Sequence, residues 1–551
     1  MNEIVSRYCP RIDFDSYQDF YENYRCIVPE RFNFALDVVD EWARLQPEKR
    51  ALIWTNDAGV VKEFSFRDMK ILSDKAASVL LGQGIQKGDK VMLILKQRPE
   101  VWIMMLALSK IGAVCIPASY QLTPKDLEYR CTIAEVRALV TVDDPELLDS
   151  IQSVMPRCPE IRFCAIVGEN VPADFLDMRL AIAEAPESYS VPWNIALTDP
   201  LLIYFSSGTT GMPKMVLHNH QFPFGHIVTA KYWQCVEDNQ IHMTQTDSGW
   251  AKFAWGKIYG QWICGAAIGA YDTEKFTPEG IIAALQRIRP YSFCAPATIF
   301  RFLIKEDLTG IDLSFIKYTS VAGEPLSPEV YHKMKELTGL EIREGFGQSE
   351  SSVLAATFKW LPVKPGSMGK PAPLYKLDLL DDSGNSCDDG ITGCISVTDT
   401  TVPGLFTGYW KDAAVTAAAW HDGVYRLGDM AWRDADGYYW FVGRNDDVIK
   451  CSGYRIGPFE VESALMEHPA VLECAVTAAP DPLRGSVVKA TIVLARGFSP
   501  SDSLKKDLQN HVKRVTAPYK YPRIVEFVPE LPKTVSGKIQ RNIIRNRDKE
   551  K

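Results

Sequence analysis

In Leu201-Leu202-Ile203-Tyr204-Phe205-Ser206-Ser207-Gly208-Thr209-Thr210-Gly211-Met212-Pro213-Lys214 an apolar run gives way at once to hydroxyls, glycines and a lysine. Asp199-Pro200 starts the run, and its five apolar residues read as a buried strand. Glycines let the backbone after it curl closely round an anion, so that successive N–H groups point at oxygen. The hydroxyls add donors and Lys214 adds positive charge. This is not a Walker A loop, because the spacing is G-x-x-G-x-x-K and not G-x-x-x-x-G-K-[ST].

Outward from this turn the pattern is α/β. Phe34 to Leu45 has helical spacing, Val91 to Leu95 reads as a strand, Pro99 to Lys110 as a helix and Ala113 to Pro117 as a strand, which predicts a largely parallel sheet. Val101 to Ala118 is interrupted by Ser109, Lys110 and Gly112, so it reads as a buried helix entering a buried strand and not as a membrane span. Pro403 to Gly443 reads as β-hairpins. After the polar break Arg444-Asn445-Asp446-Asp447, Pro458 opens a helix to His468. Val471 to Thr477, Val487 to Leu494 and Ile524 to Val528 read as strands, and Leu504 to Val515 as a helix. The expectation is a large N-terminal region of β-sheets flanked by helices, residues 1–445, and a small α/β domain, residues 446–551.

The 551 residues fit a soft prior of about three to four domains, or one large domain and a smaller one. Hydrophobic residues are 46% and charged residues 24%, which excludes a disordered or fibrous chain. A net charge of −8 lacks the basic footprint of nucleic-acid binders. Thirteen cysteines without a C-x-x-C suit a reducing compartment. His218, His220 and His226 have no flanking Cys or carboxylate cluster and are not read as metal ligands. Met1 to Glu22 is too acidic for a secretory or mitochondrial leader, and the expected location is cytoplasmic.

The nonapeptide Ser206 to Lys214 resembles the phosphate signature of the acyl-activating, or adenylate-forming, superfamily. Five further stretches resemble its motifs in family order. Gly323-Glu324-Pro325 resembles the adenine turn. Glu344-Gly345-Phe346-Gly347-Gln348-Ser349-Glu350 resembles the second nucleotide motif, and Tyr425 to Asp429 the ribose motif. Gly443 to Pro458 resembles the hinge and CoA-facing loop, and Lys533 to Lys538 the loop of the catalytic lysine.

The resemblance implies an ATP-dependent ligase that joins a carboxylic acid to CoA through an acyl-adenylate. Lys538 would serve adenylation, Glu350 would hold magnesium, and Ser349 would donate to the α-phosphate or the carboxylate. Asp429 would accept from the ribose and Arg444 would neutralise phosphate. Asp446 would be the hinge about which a mobile small domain presents first Lys538 and then the loop Ser452-Gly453-Tyr454-Arg455. Asp481 to Gly485 resembles medium-chain acyl-CoA synthetases, with Arg484 on CoA; Arg514 and Tyr519 resemble a further CoA-side segment more weakly. An absent carrier module favours soluble CoA over a carrier-protein pantetheine, the nearest rival. A non-catalytic acyl or nucleotide sensor is the rival of another class, and a homodimer is left open.

Gly347 stands where acetyl- and propionyl-CoA synthetases have a tryptophan, so the resemblance implies a roomier slot for medium-chain, branched or aromatic acids. Asp247 to Gly260 resembles the acyl-site strip, in which Trp250, Phe253, Trp255 and Tyr259 line the slot or belong to the core. Lys252 either pairs with a polar group on the acid or reaches out to water.

Overall fold

The computed structural model describes residues 4–206, 212–451, 454–481, 485–534 and 538–550, without the side chains at 450, 454, 455, 485, 549 and 550. Its first sheet is built on Lys90–Ile94 (β1), Glu100–Ile111 (α1), Val114–Pro117 (β2), Pro124–Ala134 (α2) and Val136–Val142 (β3). β1 runs parallel to both β2 and β3. Every residue of α1 from Val101 to Ile111 is buried, and the helix ends on Gly112 at φ +69°, where glycine accepts the left-handed turn that exposes no Cβ strain. The sequence's buried helix running into a buried strand is therefore what forms. In α2, Pro124 sits at the first turn and Thr123 and Asp126 cap each other's backbone N–H groups. Pro200–Ser206 (β4) joins β2 in parallel, and Lys214–Asn219 (β5) returns antiparallel with Ser206 opposite Lys214. The whole sheet has eight strands in the order Gly408–Tyr409, β5, β4, β2, β1, β3, Phe163–Val167, Leu176–Asp177.

The second sheet contains Ile241–Thr244 (β6), Ala267–Asp272 (β7), Ser292–Ala295 (β8), Tyr318–Val321 (β9) and Ile342–Phe346 (β10), with Ala251–Gly256 (α3) and Ala297–Leu303 (α4) between them. Six parallel strands stand in the order β10, β9, β8, β6, β7 and Arg50–Asn56. The carboxyl ends of the two sheets meet. Ser119 Oγ, just past β2, donates to Asp247 Oδ2 at 3.0 Å, and His218 Nε2 on β5 donates to the Ser349 carbonyl at 2.7 Å. A crevice at the carboxyl ends of parallel strands is where ligands bind in open α/β sheets.

A five-stranded antiparallel sheet follows, with Val424–Arg433 (β11) and Tyr439–Arg444 (β12). The expected hairpins of Pro403 to Gly443 also hold a helix, Ala413–Ala419, capped by the Asp412 carboxylate. Its alanines, the best helix formers, outweigh the surrounding strand signals. Residues beyond it form Pro458–Met466 (α5), Val471–Asp481 (β13), Gly485–Leu494 (β14), Asp502–Val515 (α6), Ile524–Phe527 (β15) and Arg541–Glu550 (α7). They bury a separate core that includes Val461, Leu465, Val476, Ile492 and Leu508. Helix α7 has two isoleucines among eight polar residues and went unread in the sequence.

One buried cation is a stability lever. Lys257, after α3, is fully buried; its amine donates to the Gln97 side-chain oxygen and stands 5.6 Å from the centre of the Trp102 ring. Burial pushes the amine down to about 7 from 10.5. Between those values the unfolded chain holds a proton that the native chain lacks. This contribution to stability therefore rises with pH across that window, and the cost is complete below it. Lys257→Met should remove this dependence, so its melting temperature relative to the parent should drop as pH goes from 7 to 9, by the equivalent of about 1 kcal/mol or more. A difference that stays constant with pH would contradict this origin.

Candidate functional site

The nucleotide side is assembled from strand ends. Ser206 closes β4 and Lys214 opens β5, and the two strands pair antiparallel; Ser207, Gly208, Thr209, Thr210 and Gly211 lie outside the described residues. The Lys214 amine stands 5.0 Å from the centre of the Tyr409 ring. At the end of β9, Gly323 has φ +94°, a conformation glycine adopts freely. Glu324 accepts from Thr298 Oγ1 at 3.0 Å and from Arg301 Nη2 at 2.5 Å, which ties the turn at Pro325 to α4. Glu344 on β10 is buried, takes only a long hydrogen bond from the Leu326 N–H, 3.4 Å, and is pushed up to about 8 by burial. It is a buried carboxyl beneath the turn.

Next to it, Gln348 holds a network that the motif spacing does not reveal. Its Nε2 donates to Asp429 Oδ2 at 2.6 Å, and its Oε1 accepts from the Tyr425 hydroxyl at 2.8 Å. Asp429 and Arg444 face each other across β11 and β12, with Arg444 Nη1 3.3 Å from Asp429 Oδ1. Phe346 packs at 6.3 Å from Phe441, and a Cβ on Gly345 would stand 2.4 Å from Trp233. Ser349 contributes the carbonyl that accepts from His218. Glu350 is buried and accepts from the Tyr409 hydroxyl at 2.9 Å. Burial raises its carboxyl although Lys214 and Arg444 pull it down, so the group is short of positive charge. An acidic oxygen donor in that condition fits a hard dication such as magnesium.

The acyl strip divides its aromatics. Trp250 is half-buried ahead of α3. Lys252 and Trp255 are three residues apart and share one face of α3, while Phe253 is turned about 100° away. Phe253 is therefore core, with its ring 5.2 Å from Trp102, and Tyr259 likewise packs on Phe34 and Phe222, at 4.9 and 5.9 Å. Neither is a wall of an open slot in this structure. The space beside Gly347 is not empty either: a Cβ there would lie 2.4 Å from Trp255 Cη2. The indole is fixed by Nε1, which donates to the Ser351 carbonyl at 3.1 Å. Lys252 is half-buried and has no carboxylate partner among the described residues. Its amine donates to the Ala322 carbonyl at 2.8 Å, between the acyl strip and the Gly323 turn. Burial lowers its pKa, and Lys538 lowers it further.

Lys538 is exposed in the small domain, and its positive charge acts to lower the pKa of both Lys252 and Asp429. Its backbone N–H donates to Thr534 Oγ1 at 3.1 Å. Asp446 lies in a turn closed by the Asp447 and Val448 N–H groups on the Arg444 carbonyl. From α7, Arg545 donates to the Asp446 carbonyl at 2.8 Å and pairs with the Asp447 carboxylate, while Arg541 forks onto both Glu462 oxygens at 2.7 and 2.8 Å. Sequence reasoning missed these arginines; their four-residue spacing, which puts both on one helix face, is the signal that could have found them. Of the CoA-side residues, Ser452, Gly453 and Arg484 lie outside the described residues, and Tyr454 and Arg455 are described by backbone only, on the strand Tyr454–Ile456. Arg514 is exposed in the last turn of α6 against His511, 3.1 Å away.

The three histidines are buried. His220 and His226 have no hydrogen-bond partner at either ring nitrogen, and burial holds His218 at about 3 and His226 well below its ordinary value. They are neutral core rings, and among the described residues no group of three or more Cys, His, Asp or Glu is placed to hold a metal ion. All thirteen cysteines are free thiols, and among the described residues no helix is long and apolar enough to cross a membrane.

Comparison with known proteins agrees with this geometry. Residues 39–410 match the model of the AMP-binding enzyme family, and residues 460–538 that of the AMP-binding enzyme C-terminal domain. The human mitochondrial acyl-coenzyme A synthetase ACSM5 is 42% identical over 535 residues, 95% of this chain and 92% of its own. The anthranilate CoA ligase AuaEII, solved with anthranoyl-AMP, superposes with a TM-score of 0.87 at 28% identity, covering 95% of this chain and 98% of its own. A benzoate CoA ligase from Burkholderia xenovorans LB400 superposes with a TM-score of 0.82 at 25% identity, covering 94% and 100%. With both family models matched in order and a relative aligned along nearly its whole length, the chain belongs to the AMP-binding enzyme family, whose fold it carries.

Proposed function

We propose that this acyl-CoA synthetase activates medium-chain, branched or aromatic acids, in a slot whose depth is set by Trp255. The chain is an acid–thiol ligase of the AMP-forming kind: acid and ATP give an acyl-adenylate and pyrophosphate, and CoA then displaces AMP. The observation that carries the substrate reading is the contact of Trp255 with Gly347, which ends the slot with a ring from α3 where a side chain at 347 would otherwise end it. The anthranilate and benzoate CoA ligases, which name aromatic acids, support the aromatic end of that range.

The roles follow from charge. The attacking carboxylate and the α-phosphate are both anions, so adenylation needs cations and fixed donors around the phosphorus. Lys538 supplies a mobile point charge, and Lys252, already in the crevice, holds the carboxylate end of the acid. Asp429, steadied by Gln348 and Arg444, accepts from the ribose hydroxyls. Glu350, with the triphosphate oxygens, would hold magnesium, which when bound neutralises phosphate charge. The domains divide at Asp446, and rotation there exchanges Lys538 for the segment 452–455, bringing Arg484 and Arg514 to CoA. With its free thiols the protein belongs in a reducing compartment, the cytoplasm or a mitochondrial matrix, which fractionation would decide.

The test is CoA-dependent pyrophosphate release over straight-chain acids from acetate to dodecanoate, with 2-methylbutyrate and benzoate. Turnover should peak beyond propionate and yield a CoA thioester. Trp255→Ala should move the optimum to longer or bulkier acids, by about tenfold in relative kcat/KM, the effect of one or two buried methylenes in a pocket. An unchanged preference would remove Trp255 from the slot. Pyrophosphate with adenylate but no thioester would favour a carrier-bound pantetheine as acceptor.

A further inference from the structure

A cation that no motif covers stands beside the phosphate loop. Arg130, in the last half of α2, places its guanidinium carbon 4.8 Å from the centre of the Phe205 ring, the residue before Ser206. Its neighbour Tyr129 donates from the hydroxyl to the Pro213 carbonyl at 3.2 Å, the residue before Lys214. Helix α2 therefore touches the described chain on both sides of the loop. The Arg130 Nε–H is buried and has no hydrogen-bond partner. Among the described residues the guanidinium has no carboxylate within ion-pair distance. Asp126, one turn earlier on the same helix, is occupied by the cap, where the Thr123 hydroxyl donates to it at 2.6 Å. Arg130 is half-buried with its Nε shielded from water, and a guanidinium so placed without an anion is suited to receive one.

The anion due at this place is polyphosphate. During adenylation a carboxylate oxygen forms a bond to the α-phosphorus while the bond from that phosphorus to the bridging oxygen breaks, and pyrophosphate leaves with the electron pair. Negative charge grows on the departing group, and a planar guanidinium fork matches two phosphate oxygens better than an ammonium does. Lys214, the other cation at this loop, is likewise without an ion pair among the described residues, since its amine faces the Tyr409 ring. We propose that Arg130 binds the β- and γ-phosphates of ATP and stabilises the departing pyrophosphate, as a catalytic residue of the adenylation step. The proposal rests on reading Ser206 to Lys214 as the triphosphate cradle.

The experiment compares Arg130→Met, Arg130→Lys and Lys214→Ala in the full chain. It measures KM for ATP, acid and CoA, product inhibition by pyrophosphate, and melting temperature. Arg130→Met should raise the KM for ATP and the inhibition constant of pyrophosphate together by about tenfold or more, the loss of a charge-assisted hydrogen bond, with the KM for acid and CoA unchanged. Arg130→Lys should recover part of both, because it keeps the charge and loses the fork. Unchanged ATP and pyrophosphate constants in Arg130→Met, beside a clear effect of Lys214→Ala, would reduce Arg130 to a ring-stacking residue. A change confined to the KM for CoA would assign it to the phosphates of that substrate and overturn the proposal. If Lys214→Ala also leaves both constants in place, the cradle reading itself fails. Should Arg130→Met not fold, Arg130→Lys decides by the same two constants.

Discussion

Lys538→Ala should slow acyl-adenylate formation by about 10²–10³-fold, the usual effect of removing one charged or hydrogen-bonding group from a transition state that accumulates negative charge. The same variant, supplied with chemically made acyl-adenylate, should form thioester within a few-fold of the parent rate. On the proposed reading Lys538, whose backbone N–H donates to Thr534 Oγ1 at 3.1 Å, presents its amine to the α-phosphate during adenylation. No charge is needed at that spot once the adenylate exists, because the thiol attacks a carbonyl that the phosphate already activates. Quenched-flow measurement of each half-reaction separates the two. Equal losses in both would place Lys538 in general binding or folding and remove its assignment.

Asp446→Pro should change the ratio of the two half-reaction rates by about 10²-fold or more, the scale of effect that misplacing reacting groups by an ångström can have. Arg545 donates to the Asp446 carbonyl and pairs with the Asp447 carboxylate, so the peptide unit after Asp446 is fastened to the small domain. Before it, Asn445 N–H donates to the Gly428 carbonyl and fastens the chain to the large region. The freedom left between these two anchorages is that of Asp446 itself. A proline ring fixes φ near −65° and cannot serve two poses that differ there. One half-reaction should survive and the other fail, with little change in melting temperature, since among the described residues the Asp446 N–H makes no backbone hydrogen bond. Parallel loss of both rates would mean a static linker.

How much of this was legible in the chain depends on the distance over which residues meet. The strand entering Ser206, the helix opened by Pro458 and the order of the motifs were readable, because each is set by neighbours within a few residues. The alternation of residues 90–118 gave the parallel sheet for the same reason. What stayed hidden was long-range. Nothing near Gly347 announces that Trp255, ninety-two positions earlier, fills the space beside it. The Gln348 bridge to Asp429 spans 81 residues. Phe253 and Tyr259 looked equal to Trp255 as pocket walls because a dense aromatic run does not say which way a short helix will turn. Arg130 was silent because its significance lies in the anion it lacks, and a missing partner leaves no pattern in the sequence.

The ring that closes the slot also makes the protein report on its own occupancy. If Trp255 ends the slot as proposed, its indole, held by the Ser351 carbonyl, should change its surroundings and hence its emission when an acyl chain enters beside it. The difference in fluorescence between the parent and Trp255→Phe, recorded on adding acid alone, would then be an optical titration of the first substrate, free of any coupled enzyme or label. Chain-length preference could be read from binding, before chemistry begins.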